Sequence, residues 1–292
     1  MIKTIINAKK TKDADVVFLL TPYEKTASSR KGTSRGPDKI IACLDAQIEF
    51  FSRKFRKNAN DFIKIGLQKL NNLEKLSPEK AVKKIEAACE NLLAGDKFIF
   101  LLGGEHSVSV GHLLALTKKY NPKDVTILQI DAHCDLRDND GDYSEEPSSF
   151  AHSAVMRRAS GLDYPIVQVG IRTYAEEEYK YFSDLKNKIT VFEWGNNIVP
   201  KINDILSAIK TKYLYISIDV DGFDPGVMPG TGTPVQGGLE WWYGLELIEK
   251  AIERYELVGA DIVEVSPMKD SVLTEYGAAD LAYQIIVNKF LG

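Results

Sequence analysis

Hydrophobic positions along the chain fall into short continuous runs. Residues 16–20, 62–65, 98–102, 125–130, 166–169, 190–192, 214–220 and 258–265 are rich in β-branched and aliphatic side chains. Runs of this length predict strands, and their near-continuous apolarity predicts burial on both faces. Between several of them the period becomes helical. Residues 78–93 carry Val82, Ile85, Cys89 and Leu92 on one face, with Ser77 as N-cap, Pro78 in the first turn and Gly95 as a stop. Residues 239–254 repeat the logic through Trp241, Leu245, Ile248 and Ile252, and 277–290 supply a last helix. Strands alternating with helices predict an α/β fold with a mostly parallel central sheet covered on both faces. The strand order is not readable from the pattern. Two long polar stretches, 21–37 and 136–151, interrupt it, and loops of that length in a compact domain are usually functional or disordered.

Chemistry gathers where three of the apolar runs end. All four histidines lie between His106 and His152. The run 98–102 leads into GGEHS at 103–107, where two glycines permit a sharp turn that aims His106 into a crevice at the strand's carboxyl end. Taken singly, His106 reads more readily as a satisfied structural residue. The run 125–130 leads into DAHCD, and in extended backbone Asp131, His133 and Asp135 project to one side. Asp219 and Asp221 repeat the alternate spacing after the run that begins at 214. Four aspartates gathered without a cation would repel one another and drive their pKa values upward, whereas two divalent ions would neutralise them and share the ligands. Oxygen-rich ligation with two imidazoles favours Mn²⁺ over Zn²⁺, with Fe²⁺, Co²⁺ and Ni²⁺ as alternatives. Cys134 should point away from the ligand face as a small buried residue, and His112 reads as structural within a helix after Ser107.

Composition narrows the partners. The chain has 292 residues, with 37 Lys and Arg against 41 Asp and Glu, a formal charge of −4. Nothing in that balance, which lacks any dense basic block, attracts nucleic acid or an anionic membrane. No apolar run approaches the ~20 residues of a membrane span. Residues 1–12 lack a signal-peptide core, and the three cysteines, Cys43, Cys89 and Cys134, are widely spaced. These features predict a cytoplasmic protein, and the absence of any linker or repeat predicts a single domain over 1–292.

The motifs GGEHS at 103–107, DAHCD at 131–135 and SIDVDGFDP at 217–225 resemble the three signatures of the ureohydrolases, the arginase and agmatinase family. Further likenesses cover most of the chain: 32–37 resembles the family's early glycine-rich loop, 232–238 its substrate-side loop, and 264–267 its late acidic motif. The resemblance implies a three-layer α/β sandwich, two Mn²⁺ per subunit, hydrolysis of a guanidino group to urea, and a homo-oligomer, trimer or hexamer. Carried over position by position, it implies that His106, Asp131, Asp135 and Asp219 hold one ion and Asp131, His133, Asp219 and Asp221 the other. Glu264 would receive the guanidinium, because a carboxylate matches that planar fork in a bidentate pair. Thr233 would contact the reacting group, and His152 would be the mobile acid or base that delivers a proton to the departing amine.

The far end of the substrate distinguishes members of the family. Where arginases carry an asparagine two residues after the last Asp of DAHxD, this chain has Arg137. The following loop holds Asp138, Asp140, Asp142, Glu145 and Glu146, an environment that favours a cationic tail, and the FAHSAVMRR segment at 150–158 also resembles agmatinases, although Ser153 follows the histidine where Gly or Ala is expected. Agmatine, cleaved to urea and putrescine, is the expected substrate. Aminopropylagmatine, arginine or a guanidino acid whose carboxylate Arg137 binds are alternatives, as are phosphoester hydrolysis and a non-catalytic metal-stabilised oligomer.

Overall fold

In the computed structural model, which describes residues 4–292, the alternating pattern becomes ten strands and eight α-helices. In chain order they are β1 (Val16–Thr21), α1 (Gly36–Gln47), β2 (Phe51–Ser52), β3 (Lys57–Asn58), β4 (Ile65–Lys69), α2 (Pro78–Ala94), β5 (Phe98–Gly103) and α3 (Ser109–Leu116). There follow β6 (Val125–Ile130), α4 (Val155–Gly161), β7 (Ile166–Ile171), α5 (Glu176–Asp184), β8 (Ile189–Glu193) and α6 (Ile202–Ala208). The chain ends with β9 (Tyr213–Asp219), α7 (Trp241–Arg254), β10 (Glu256–Val263) and α8 (Leu273–Leu291). Eight strands form one sheet in the order β4-β1-β5-β10-β9-β6-β7-β8, paired in parallel throughout. The remaining two, β2 and β3, make a small antiparallel hairpin.

Alternation along the strands divides the core into the expected three layers. In β1, Val16, Phe18 and Leu20 join one apolar cluster with Ile40 and Leu44 of α1, Leu247 and Ile248 of α7, and Ile285 and Ile286 of α8. Val17 and Leu19 join the other, with Val82, Ile85 and Cys89 of α2, Leu113 of α3 and Met156 of α4. Each fully buried side chain of this kind contributes roughly 1.5–3 kcal/mol relative to exposure, so both faces of the sheet are committed to helices.

One expectation needs correction. The run 62–65 does not form a strand: β4 begins at Ile65, and Phe62 is 59% exposed. A 3-10 turn over Ala59–Asp61, capped by the Asn58 side chain on Asn60 N, occupies the earlier residues. The strand itself lies at the sheet edge and ends in Gln68 and Lys69, polar positions that an edge tolerates and that disguise it in the pattern. The glycines of GGEHS make their turn without left-handed backbone. Gly104 is required for close approach, since a Cβ there would stand 2.0 Å from the carbonyl oxygen of Tyr23.

Strand order places the chemistry. From β5 the chain must cross over β10 and β9 to reach β6, so β5, β10, β9 and β6 stand side by side with their carboxyl ends together. Register completes the alignment. Ile130 pairs with Ile218, Val263 with Asp219 and Leu102 with Ile262, which brings the residues following each strand to one level. Ligand crevices in open α/β sheets lie at such carboxyl ends.

Candidate metal centre and catalytic cleft

Five of the six sequence-predicted ligands meet above these four strands in two groups that share Asp131, and the sixth, Asp219, stands beside them. His106, Asp131 and Asp135 form a buried group. Asp131, His133 and Asp221 form a second, and the offered ligand atoms within each group lie within 4.8 Å of one another. His106 Nδ1 is 2.9 Å from Asp135 Oδ2, 3.3 Å from Asp131 Oδ2 and 3.7 Å from Asp219 Oδ2. His133 Nδ1 is 3.2 Å from Asp221 Oδ2 and 3.6 Å from Asp131 Oδ1. The two oxygens of Asp131 thus face different groups. Asp219 approaches the His106 group, and its Oδ1 is held by the backbone N–H of Asp221 at 2.9 Å.

Each carboxylate is steered by the backbone around it. Asp131 Oδ1 accepts from His133 N and Oδ2 from Gln129 Nε2, both at 2.6 Å, and Asp221 Oδ1 accepts from Ala132 N at 3.1 Å. Gly222 lets the two strand ends touch, because a Cβ there would lie 2.6 Å from Asp131 N. Asp135 holds a left-handed backbone, φ 52°, a conformation uncommon for a non-glycine residue and concentrated at functional sites.

Electrostatics test whether a cation fits. Two carboxylates about 4 Å apart repel by about 4 kcal/mol at an effective dielectric near 20, and burial removes the water that would relieve this. Burial, with the added charge of neighbouring Asp221 and Asp131, accordingly pushes the Asp219 carboxyl well above the usual range, and burial with Asp131 raises Asp135. Burial alone would push the rings of His106 and His133 down, but the facing aspartates outweigh it and hold both well above an ordinary histidine. Protons here do what a metal ion would do better.

The tautomer of His106 makes the point sharply. Ser217 Oγ donates to Asp261 Oδ1 at 2.8 Å, so its oxygen must accept at 2.9 Å from His106 Nε2, which therefore carries the proton. In the neutral ring Nδ1 is then a buried lone pair directed at three carboxylates, with no other hydrogen-bond partner. A lone pair and a set of carboxylates converging on one point fit a divalent cation. The support continues inward, where Asp261 Oδ2 accepts from Tyr215 Oη at 2.6 Å and Tyr215 Oη meets His112 Nδ1 at 3.0 Å. His112 is buried in α3 and burial lowers its pKa to about 3, in accord with a structural role. Cys134 is buried away from solvent, also as expected.

A cleft of about 240 Å³ opens above the groups. It is lined by His133, Asp135 and Asp219 on its floor and by Glu264, Thr233, His152, Tyr143, Tyr174, Arg137 and Glu178 among its walls. Glu264, at the end of β10, has φ 62° and accepts His106 N on Oε1 at 2.7 Å. Burial, and next the charge of Glu105, raise its carboxyl well above the usual range, which is the signature of a site wanting a cation. Thr233 lines the cleft but donates to Asp221 Oδ2 at 3.1 Å, so its visible partner is a carboxylate of the cluster. His152 is half-buried, with Ser28 Oγ 3.3 Å from Nε2.

The acidic loop does not line this cleft as its charge suggested. Asp142 pairs with Arg137, Asp138 with Arg158 at 3.0 Å, and the buried Asp140 accepts Ser148 N at 2.6 Å. From that loop Arg137 and Tyr143 reach the cleft, and the added carboxylate comes from Glu178 of α5. Sequence reasoning also missed Arg172. Its guanidinium, whose pKa burial lowers, donates to the carbonyls of Gly170, Asp221, Gly222, Phe223, Val235 and Gln236, tying the Asp221 turn to the loop that bears Thr233. A lone Arg after a strand carries no local signal of this; the pairing exists only across three segments.

Known proteins are similar to this chain in sequence and fold. The family model of the arginase family matches residues 14–287. An N(1)-aminopropylagmatine ureohydrolase of Synechocystis sp. is 33% identical over 281 residues, covering 94% of this chain and 89% of that protein. An agmatinase of Bacillus subtilis is 31% identical over 291 residues, 99% of this chain and 95% of that one. The crystal structure of the agmatine ureohydrolase of Thermoplasma volcanium superposes with a TM-score of 0.86 at 28% identity, covering 99% of this chain and 94% of that chain. The chain belongs to the arginase family and is an enzyme of the agmatinase-like ureohydrolase class.

Proposed function

We propose that the enzyme hydrolyses the guanidino group of agmatine, releasing urea and putrescine. The observation that carries the reading is the pair of ligand groups sharing Asp131 directly beneath a buried, cation-seeking Glu264. Two ions per subunit would be held, one by His106, Asp131, Asp135 and Asp219, the other by Asp131, His133, Asp219 and Asp221. The oxygen-rich donor set favours Mn²⁺. Such a pair supplies Lewis acidity and a water of near-neutral pKa.

The chain's own residues do the rest. Glu264 takes the guanidinium in a bidentate pair, and its low-dielectric surroundings strengthen that pairing. Thr233, bonded to Asp221, keeps the 232–238 loop against the floor and bounds the site from that side. Water adds to the guanidinium carbon, the bond from carbon to the alkyl nitrogen breaks, and His152 delivers a proton to the departing amine. Tyr143, Tyr174 and Glu178 suit a cationic aliphatic tail. A longer tail is the second reading: the Synechocystis relative is named for aminopropylagmatine.

Incubating metal-free and Mn²⁺-loaded protein with agmatine, aminopropylagmatine, arginine and 4-guanidinobutyrate, and measuring urea, tests both. Metal-dependent urea from agmatine is the expected result. Preference for aminopropylagmatine moves the substrate and keeps the site, whereas no urea from any compound overturns the reading. We place the enzyme in the cytoplasm as a homo-oligomer, trimer or hexamer. The three cysteines are free and buried, as a reducing compartment allows, and no helix among the described residues is long and apolar enough to cross a membrane. Exposed Phe51, Trp242, Leu273 and Tyr276 suit subunit contact, which light scattering would measure.

A further inference from the structure

The motif at 103–107 contributes a second device beside His106. Glu105 is wholly buried, yet its four hydrogen bonds all go to groups outside the ligand cluster. Oε2 accepts from Lys25 N and Thr26 N, each at 2.7 Å. Oε1 accepts from Ser107 Oγ at 2.6 Å and from Thr26 Oγ1 at 2.8 Å. A threonine hydroxyl has one proton, and here it is directed to Glu105. The Thr26 oxygen is thereby left as an acceptor. It takes the His152 backbone N–H at 3.0 Å and faces His152 Nδ1 at 3.4 Å. That second contact is attractive only when Nδ1 carries hydrogen. Nε2 is then the bare nitrogen, with Ser28 Oγ at 3.3 Å as a donor to it.

The structure assigns Glu105 and Thr26 a positioning role: together they hold the neutral His152 ring in its Nδ1–H tautomer, so that Nε2 is the atom that moves the proton. The assignment rests on the reading of His152 as proton carrier. As the water oxygen bonds to the guanidinium carbon, one of its protons passes to Nε2. That proton then moves to the alkyl nitrogen as the C–N bond breaks, while Nδ1 keeps its own throughout. While the ring is doubly protonated, its charge faces an oxygen already polarised by a buried carboxylate. One short motif so places a candidate ligand and, through its neighbour, orients the proton carrier.

Ring-nitrogen NMR decides the matter. Protein labelled with ¹⁵N-histidine and loaded with diamagnetic Zn²⁺ in place of Mn²⁺ gives four ring systems, of which that of His152 is identified by its loss in His152→Asn. Spectra are recorded at about pH 9, above the ordinary range of histidine titration. Wild type is expected to show a protonated Nδ1 and a bare Nε2 at His152. Thr26→Val, which keeps both backbone bonds to Glu105, should shift the ring toward Nε2–H, and Thr26→Ser should restore it. With Mn²⁺ and agmatine, Thr26→Val should lower kcat roughly 10- to 100-fold with KM within about twofold, and Thr26→Ser should recover most of it. An Nε2–H ring in wild type, an unchanged spectrum in Thr26→Val, or equal losses in kcat and binding would overturn the assignment. Undiminished kcat in His152→Asn would sink the proton-carrier reading alone, leaving the tautomer to the spectrum.

Discussion

The two halves of the ligand cluster use the same residue types and differ in what surrounds them. Around His106 the ring and Asp131 are enclosed, with Asp135 and Asp219 reaching the cleft floor, and Ser217, Asp261, Tyr215 and His112 continue the hydrogen bonding inward. The His133 side chain is 31% exposed and forms part of the cleft floor. A closed, braced site holds an ion tightly, whereas an open one must share its ion with water and substrate. With an ion in each group, the difference would separate retention from turnover within a cluster that shares one carboxylate.

Replacing that shared carboxylate should have the largest effect. Asp131→Ala removes an oxygen from each group and leaves buried partners uncompensated, a cost of roughly 3–5 kcal/mol. Metal content is expected to fall from two ions per chain toward none, and urea release by about 10³-fold or more. A variant that retained one tightly held ion would show that Asp131 serves a single group. Glu264→Gln comes next. The amide still accepts His106 N but cannot neutralise a guanidinium, so kcat/KM should drop about 10²- to 10³-fold at unchanged metal content. Loss of metal in this variant would transfer Glu264 from the substrate to the ions.

A smaller change sharpens the contrast between the halves. Ser217→Ala removes the acceptor that sets the His106 tautomer and should weaken the sealed ion about 10- to 100-fold, leaving the open one alone. Chelator competition would then show the two release steps converging, and parallel weakening of both ions would erase the distinction drawn above. The least effect concerns pH and metal-free stability. His112 titrates near 3 when folded and near 6.5 when unfolded, so the unfolded chain binds the extra proton between those values. Its contribution is present above about pH 6.5 and is lost as pH falls toward 3, by about 2 kcal/mol at pH 5. Urea midpoints of wild type and His112→Gln compared at pH 7 and 5 should show the variant losing less. An identical pH slope would deny the ring this role.

Much of this was legible in the residues themselves. Strands that are apolar on both faces, such as 98–102 and 125–130, announce a covered parallel sheet because little else accommodates them. The edge strand β4 was misplaced because an edge needs no such run. DAHCD displays its ligands locally, since alternate residues in extended backbone share a side. Glu105 stood in plain view within GGEHS, but its partners Lys25 and Thr26 lie on another loop. The charge of the 138–146 loop suggests a contact with the substrate tail that its carboxylates do not make. Those carboxylates found Arg137, Arg158 and Ser148, and only packing could show that Glu178 faces the cleft.

By itself the sequence determined the class of fold, the ligand types and the family, because periodicity and short motifs are written in neighbouring residues. The tertiary structure alone decided that Asp131 divides its oxygens between two groups, that the His106 ring is enclosed while the His133 ring opens to the cleft, and that Arg172 ties the Asp221 turn to the 232–238 loop. Those outcomes depend on the order and register of β5, β10, β9 and β6. They are contacts between segments far apart in the chain, and local pattern carries no information about which strand ends will stand together.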